Sequence, residues 1–258
     1  MKIIIAGYGF VGKAVVNALE SKHEVVIQDP KYTDYKMMDH HDADGIIVCV
    51  GTPSNSYGDC DASAVFEVLD DVPIFMPVLI KSTITPNVVD EIERKYPDHS
   101  ICYSPEFLRA ATSNKDFLEQ KTMVIGGDDP EGFWQSLFRT VLTKCNLYFF
   151  CSMQEASIIK YTVNSFLASK VAFFNEIFDL CQATGANYDT IKHIVSHDSR
   201  IGNSHMQVPG PDGSRGFGGG CFPKDTQAFV RYAKEVGHPL DILEEVIRSN
   251  EKIKSKSS

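Results

Sequence analysis

From its first residues the chain alternates short β-branched runs with segments whose apolar residues recur at helical spacing. The runs fall at residues 2–6, 24–27, 45–50, 78–81, 100–103, 122–125 and 146–150, and amphipathic stretches lie at 11–19, 62–69, 87–95 and 131–141. Strands alternating with helices at this spacing predict an α/β fold of the Rossmann type, a doubly wound parallel sheet. Beyond residue 151 the strand signal stops. Residues 154–183 hold no Gly or Pro and read as one helix, about 45 Å long at about 1.5 Å per residue. Ile158, Ile159, Phe166, Phe173, Phe174 and Phe178 make it apolar on nearly every side, so it is covered by neighbours or by a second subunit. A polar Gly/Pro/Ser-rich stretch follows over 199–220. Further helices are predicted at 223–236, stopped by Gly237-His238-Pro239, and at 241–254. The expected organisation is a dinucleotide-binding domain over 1–151 and an all-helical domain over 152–258.

Composition narrows the class. At 258 residues and 43% hydrophobic, the chain holds between one and two domains and can bury a core without staples. A net charge of −9 supplies no basic footprint for a phosphate backbone, which argues against nucleic acid as a partner. No apolar run approaches the roughly 20 residues that span a bilayer, so no membrane partner is expected. Residues 1–7 are too short an apolar run for a signal peptide and lead directly into a glycine motif. Seven scattered cysteines without a CxxC pair argue against a metal site and for reduced thiols in a cytoplasmic compartment.

Gly7-Tyr8-Gly9-Phe10-Val11-Gly12 follows the first predicted strand and opens a helix. Glycines there permit the tight turn and let backbone N–H groups approach a pyrophosphate. Asp29 ends the second strand about 20 residues on, where a carboxylate reads a ribose 2′-hydroxyl and repels a 2′-phosphate. NAD is therefore favoured over NADP, with Lys31 close enough to soften the preference; the plain alternative is a turn beside an ordinary surface Asp. Thr52-Pro53 and Lys81-Ser82-Thr83-Ile84-Thr85-Pro86 end two further strands. Such loops either line a ligand crevice or cap helices, Thr85 before Pro86 being a plausible cap. Ser104-Pro105-Glu106-Phe107-Leu108-Arg109 follows another strand, and Glu106 reads as a base, a substrate contact or a loop acid.

Lys160 and Asn164 share one face of the long helix at i and i+4. Lys160 is either a packed stem with a solvated head or a device for steadying an oxyanion. Gly216-Phe217-Gly218-Gly219-Gly220-Cys221-Phe222-Pro223-Lys224-Asp225 carries the most information. Pro223 suits a first helical position, so Cys221 lies where the helix dipole favours a thiolate, and the glycines before it admit a bulky ligand. Asp225 falls in the first turn, a favourable place for any acid. A buried, inert Cys221 is the alternative to a nucleophile.

Taken in order, GYGFVG, VGTP, KSTITP, SPEFLR, the Lys160/Asn164 helix, Arg200-Ile201-Gly202 and GFGGGCFPKD resemble the UDP-glucose/GDP-mannose dehydrogenase family over essentially the whole chain. The resemblance implies two successive NAD-dependent oxidations of a nucleotide sugar, UDP-glucose foremost, at C6 to the uronic acid. It implies that Cys221 forms a thiohemiacetal and then a thioester, that Lys160 stabilises oxyanions, and that Asp225 and Thr83 order a water. Glu106 would assist hydrolysis and Asn164 would hold the sugar. By the same resemblance Gly7, Gly9, Phe10, Val11, Gly12, Asp29, Lys31, Thr52, Pro53, Ser82, Thr83 and Lys224 hold the cofactor. Phe107, Leu108, Arg109, Phe217, Gly218 and Gly219 join Glu106, Lys160, Asn164 and Cys221 on the substrate. Arg200 would reach into a partner's site across a homodimer built on the long helices.

Three departures from the family pattern stand out. Members usually carry a third, C-terminal Rossmann-like domain, whereas this sequence stops soon after Glu251. Ala110 replaces the usual acid after Phe-Leu-Arg, and residues 211–215 lengthen the loop before Cys221. Two other readings use the same residues: a two-electron β-hydroxyacid-type dehydrogenase, which needs no cysteine, and an NAD-binding assembly partner with little turnover.

Overall fold

The computed structural model describes residues 1–33, 42–55 and 60–256, in two compact units meeting at Lys160 and Tyr161 along the chain. Seven strands form the first unit: β1 (Lys2–Ala6), β2 (Glu24–Gln28), β3 (Gly45–Val48), β4 (Val78–Ile80), β5 (Ile101–Tyr103), β6 (Thr122–Gly127) and β7 (Leu147–Cys151). They lie in the order β2-β1-β3-β4-β5-β6-β7. The period-two side-chain alternation of a strand splits their apolar residues between two cores. Ile4, Ile46, Val78 and Ile80 face one core with Val65 and Leu69 of α2 (Ser63–Asp71) and Val89 and Ile92 of α3 (Pro86–Lys95). Ile3, Ile5, Ile47 and Leu79 face the other. They pack there with Val15 and Leu19 of α1 (Phe10–Leu19), Phe117 of α4 (Ser113–Glu119) and Leu137 of α5 (Phe133–Val141). Burial on both faces explains why these strands are unbroken apolar runs.

The sheet departs from the all-parallel expectation at one edge. β1 to β5 pair in parallel, β6 runs antiparallel to β5, and β7 runs parallel to β6. The return from β5 carries only a 3-10 turn (Ala110–Thr112) and the seven-residue α4, too short a helix to carry the chain back along the sheet before it pairs again. Strand order also reverses about β1, which lies between β2 and β3 and opens a crevice at the carboxyl ends of the parallel strands.

A long helix, α6 (Met153–Thr184), begins in the first unit and continues into the second, followed by α7 (Tyr188–Ser196), α8 (Phe222–Glu235) and α9 (Asp241–Ser255). Two apolar clusters hold the second unit: Phe174, Cys181, Tyr188, Met206 and Val208, and Ala168, Ala172, Phe217 and Ile253. The pattern did not announce α7, whose start is fixed by Asn187, its side-chain oxygen accepting the Thr190 N–H at 2.9 Å. Residues 199–220 form turns without helix or strand, as their composition predicts.

Candidate active site

Gly7 ends β1 with φ +94°, and a Cβ there would stand 2.7 Å from the backbone of Cys49 and Val50. A Cβ on Gly12 would stand 2.0 Å from the Gly7 carbonyl oxygen, so the chain's own packing demands both glycines. Gly9 differs: a Cβ there meets nothing within 4 Å, leaving the backbone open to an approaching anion at the start of α1. Phe10 is exposed and Val11 half-buried on that first turn. Half-buried Asp29, just past β2, accepts the Tyr8 N–H at 2.7 Å and the Lys31 N–H at 2.9 Å, one on each oxygen. It thereby ties the glycine turn to the next loop, and each oxygen keeps a further lone pair for a ribose hydroxyl. Beside the turn, Tyr8 and Tyr32 meet edge to face at 5.2 Å, with the Lys13 ammonium 5.4 and 5.6 Å from their rings. Sequence reasoning missed that cluster.

After β3, Thr52 is half-buried and Pro53 exposed. Buried Ser82 donates to the Val50 carbonyl at 2.7 Å and so closes the loop after β3 onto the end of β4. Half-buried Thr83 accepts the Cys60 thiol on its carbonyl at 3.0 Å. Thr85 does occupy the N-cap of α3, but its side chain makes no capping bond, which corrects the capping alternative.

Lys81, not singled out from sequence, is wholly buried and forms an ion pair with the carboxylate of buried Glu106. Its ammonium also donates to the Ser104 carbonyl and hydroxyl, each at 3.0 Å, and lies 5.9 and 5.6 Å from the rings of Phe117 and Phe138. Lys160, also buried, donates to the main-chain carbonyl of the same Glu106 and sits 5.3 Å from the Phe107 ring. Glu106 is thus held at its carboxylate by one lysine and at its backbone by another. A charge following a strand as apolar as Val78–Ile80 was the available signal, because a cation with no exit to water must find an anion. Leu108 packs on the sheet core, while exposed Arg109 forks onto Asp116 at 3.0 and 2.7 Å. Those bonds hold the Asp116 carboxyl well below the usual carboxylate range. Ala110 opens the exposed 3-10 turn beyond it.

In the second unit Cys221 is the N-cap of α8, with Phe222 and Pro223 as its first residues. It is the only exposed cysteine of the seven, whereas burial pushes the thiols of Cys49 and Cys102 up to about 12. One turn on, Asp225 is buried and accepts the Asn164 amide N–H at 2.6 Å. Lys224 pairs with its other oxygen at 2.8 Å, and the Asp225 N–H bonds the Cys221 carbonyl at 2.8 Å. Phe217 turns its ring into the unit's core, while Gly218 is half-buried and Gly219 is exposed. Arg200 is exposed and forks onto Asp198 at 3.0 and 2.6 Å, depressing that carboxyl's pKa. Residues 211–215 fold into a closed turn in which the Gly210 N–H reaches the Ser214 carbonyl at 2.7 Å. Within the first unit the structure therefore gathers Glu106, Phe107 and Lys160, and within the second Asn164, Cys221, Lys224 and Asp225.

Among the described residues no three His, Cys, Asp or Glu side chains form a metal cluster, and no helix is long and apolar enough to cross a membrane. Residues 31–142 match the NAD binding domain of the UDP-glucose/GDP-mannose dehydrogenase family, and residues 154–252 match that family's central domain. The UDP-glucose 6-dehydrogenase of Rickettsia typhi is 32% identical over 230 residues, covering 85% of this chain and 52% of that protein. The Rhizobium meliloti UDP-glucose 6-dehydrogenase is 33% identical over 224 residues, covering 81% and 50%. The chain thus spans about half the length of the curated relatives it matches. Among solved structures, a UDP-glucose dehydrogenase from Pyrobaculum islandicum superposes with a TM-score of 0.85 at 25% identity, over 97% of this chain and 68% of that one.

Proposed function

The chain belongs to the UDP-glucose/GDP-mannose dehydrogenase family, and on that premise we propose that it oxidises a nucleotide sugar, UDP-glucose foremost, at C6 to the uronic acid with NAD. What carries the reading is Cys221: an exposed thiol at the first turn of α8, which also carries buried Asp225, bonded to buried Asn164 and to half-buried Lys224. A two-electron dehydrogenase has no use for such a sulfur, whereas a four-electron one needs a covalent hold on the aldehyde.

The residues around the glycine turn suit NAD. Gly9 and the first N–H groups of α1 would take the pyrophosphate, with Gly7 and Gly12 shaping the turn that admits it, and Asp29 would take the adenosine ribose, with a 2′-phosphate disfavoured by its charge. Lys31, Thr52, Pro53, Ser82 and Thr83 would line the remainder. Bound NAD supplies the hydride acceptor for both oxidations. The chain supplies the rest. The Cys221 sulfur adds to the C6 aldehyde and gives a thiohemiacetal, whose alkoxide the Lys160 ammonium stabilises. Oxidation of that adduct leaves a thioester, which water opens with release of the thiolate, assisted by Glu106 and by proton transfer through Asp225 and Thr83. The balance is one alcohol and one water converted to one carboxylate, with two hydrides passed to two molecules of NAD and three protons released.

Asn164 and the backbone of Gly218 and Gly219 would hold the sugar. Phe166, Phe173 and Leu180 are exposed at intervals of seven on α6, a single apolar stripe that favours a homodimer with Arg200 serving a partner's site. Scattered unmatched cysteines suit a cytoplasmic setting.

Counting NADH per sugar consumed tests the proposal: two with acid formed supports it. One NADH would favour the β-hydroxyacid type of chemistry, and NAD binding without turnover of any UDP- or GDP-sugar an assembly role. Cys221→Ser should abolish acid formation and leave NAD affinity within about twofold; unchanged turnover removes the nucleophile.

A further inference from the structure

We propose that Asn250 is a positioning residue for the Cys221 nucleophile, acting through the glycine ribbon that leads to it. This rests on the reading of Cys221 given above. The ribbon from Gly218 to Gly220 has no side chains with which to pack, and a Cβ at Gly219 or Gly220 would meet nothing within 4 Å. A Cβ at Gly218 would stand 3.7 Å from the Lys254 ammonium of α9, and beyond that the ribbon's course is set from its two ends. One end is the start of α8. The other is Phe217, where Asn250 of α9 makes a reciprocal pair of bonds: its side-chain oxygen accepts the Phe217 N–H at 2.7 Å, and its amide donates to the Phe217 carbonyl at 3.0 Å. Both residues are buried, so neither bond competes with water.

The surroundings are built for this clamp. Gly216 has φ +74°, and a Cβ there would stand 2.4 Å from the Asn250 oxygen, so glycine is required at 216 by the amide that holds 217. Asn175 of α6 fixes the preceding N–H, that of Gly216, at 3.1 Å. Asn250 itself interrupts an apolar stripe, Leu243, Val246 and Ile253, on the face that α9 turns inward. A lone amide in such a stripe stabilises little by itself and specifies register, here the register of a loop against a helix. An open-faced ribbon without that anchor would let Cys221 wander from the aldehyde it must trap, and a displacement of about 1 Å at a reacting atom can cost on the order of 100-fold in rate.

The test is a partition ratio, which a lowered folded fraction does not move. In Asn250→Ala and the isosteric Asn250→Asp, aldehyde should escape before the second oxidation. NADH per sugar consumed then drops from two toward one, aldehyde becomes trappable by hydroxylamine, and the KM for NAD stays within about twofold. A folded variant that keeps the ratio at two with parental kcat overturns the proposal. Hydrogen exchange on the parent is the second arm and needs no variant: the Phe217 amide should be protected to the level of α9. Exchange at exposed-loop speed overturns the clamp even if both variants fail to fold. Should the parent yield no acid, the functional reading fails, while the exchange result still decides whether the clamp exists.

Discussion

Replacing Lys81 by Met probes the buried pair beneath Glu106. The substitution leaves the Glu106 carboxylate without its counter-charge, and the Ser104 carbonyl and hydroxyl without their donor. Removing one partner of a buried ion pair costs about 3–5 kcal/mol. Each deserted hydrogen-bonding group adds on the order of 1 kcal/mol. Against a typical domain stability of about 5–15 kcal/mol, the first unit should lose a third or more. Trp134, the sole tryptophan, is buried in the same core as Phe117 and Phe138, so its fluorescence during urea unfolding reports on that unit. With a slope of about 1–3 kcal/mol per molar urea, the midpoint should fall by more than about 1 M. Adding Glu106→Gln removes the stranded charge and should recover most of the loss, to within about 2 kcal/mol of the parent. A cost below about 1 kcal/mol for Lys81→Met alone, or a double variant no better than the single, refutes the argument.

Two further expectations can be checked quickly. Native protein treated with a thiol reagent should lose about one thiol per chain rapidly, and that one should vanish in Cys221→Ser; fast labelling of Cys49 or Cys102, whose burial pushes their thiols up to about 12, would contradict the packing. Because Arg109 depresses the folded-state pKa of Asp116, the bond stabilises fully above the unfolded carboxyl's value of about 4 and fades as pH falls through the folded value. The difference in melting temperature between parent and Asp116→Asn should therefore shrink from pH 5 to pH 2, and a constant difference would disprove the linkage.

Where local chemistry decides, the sequence was legible. Apolar runs placed all seven strands to within a few residues; the glycine turn, Asp29, Glu106 and Cys221 lie at or just past strand ends or at a helix start, and Lys160 lies on the long helix, as their spacing suggested. Long-range partners were not legible. The direction of β6 is invisible in a period-two pattern, because a strand alternates its faces in the same way whichever way it runs. Lys81 read as the end of a strand because Glu106, its counter-charge, comes 25 residues later, on the loop after the next strand in the sheet. Short α4 and α7 offer too few turns for a clear period. Asn250 was visible only as a polar break in an apolar stripe, which becomes informative once Phe217 is known to lie against it.

The two reversed strands also settle how a helix can climb to the crevice. Because β7 runs against β1 to β5, the chain leaves it pointing away from the ligand edge, Cys151 standing level with Gly126 and with Tyr103, the last residue of β5. α6 then ascends the sheet face. Its base presses so closely that a Cβ on Gly126 would come within 2.7 Å of Ala156, and Ser157 fastens it to the Ile84 carbonyl at 2.7 Å. Four residues past Ala156, about 6 Å at about 1.5 Å per residue, Lys160 arrives beside Glu106. A helix that leaves a parallel strand starts at that rim and descends the sheet, as α1 does between β1 and β2; α6 leaves a reversed strand and rises to the rim instead.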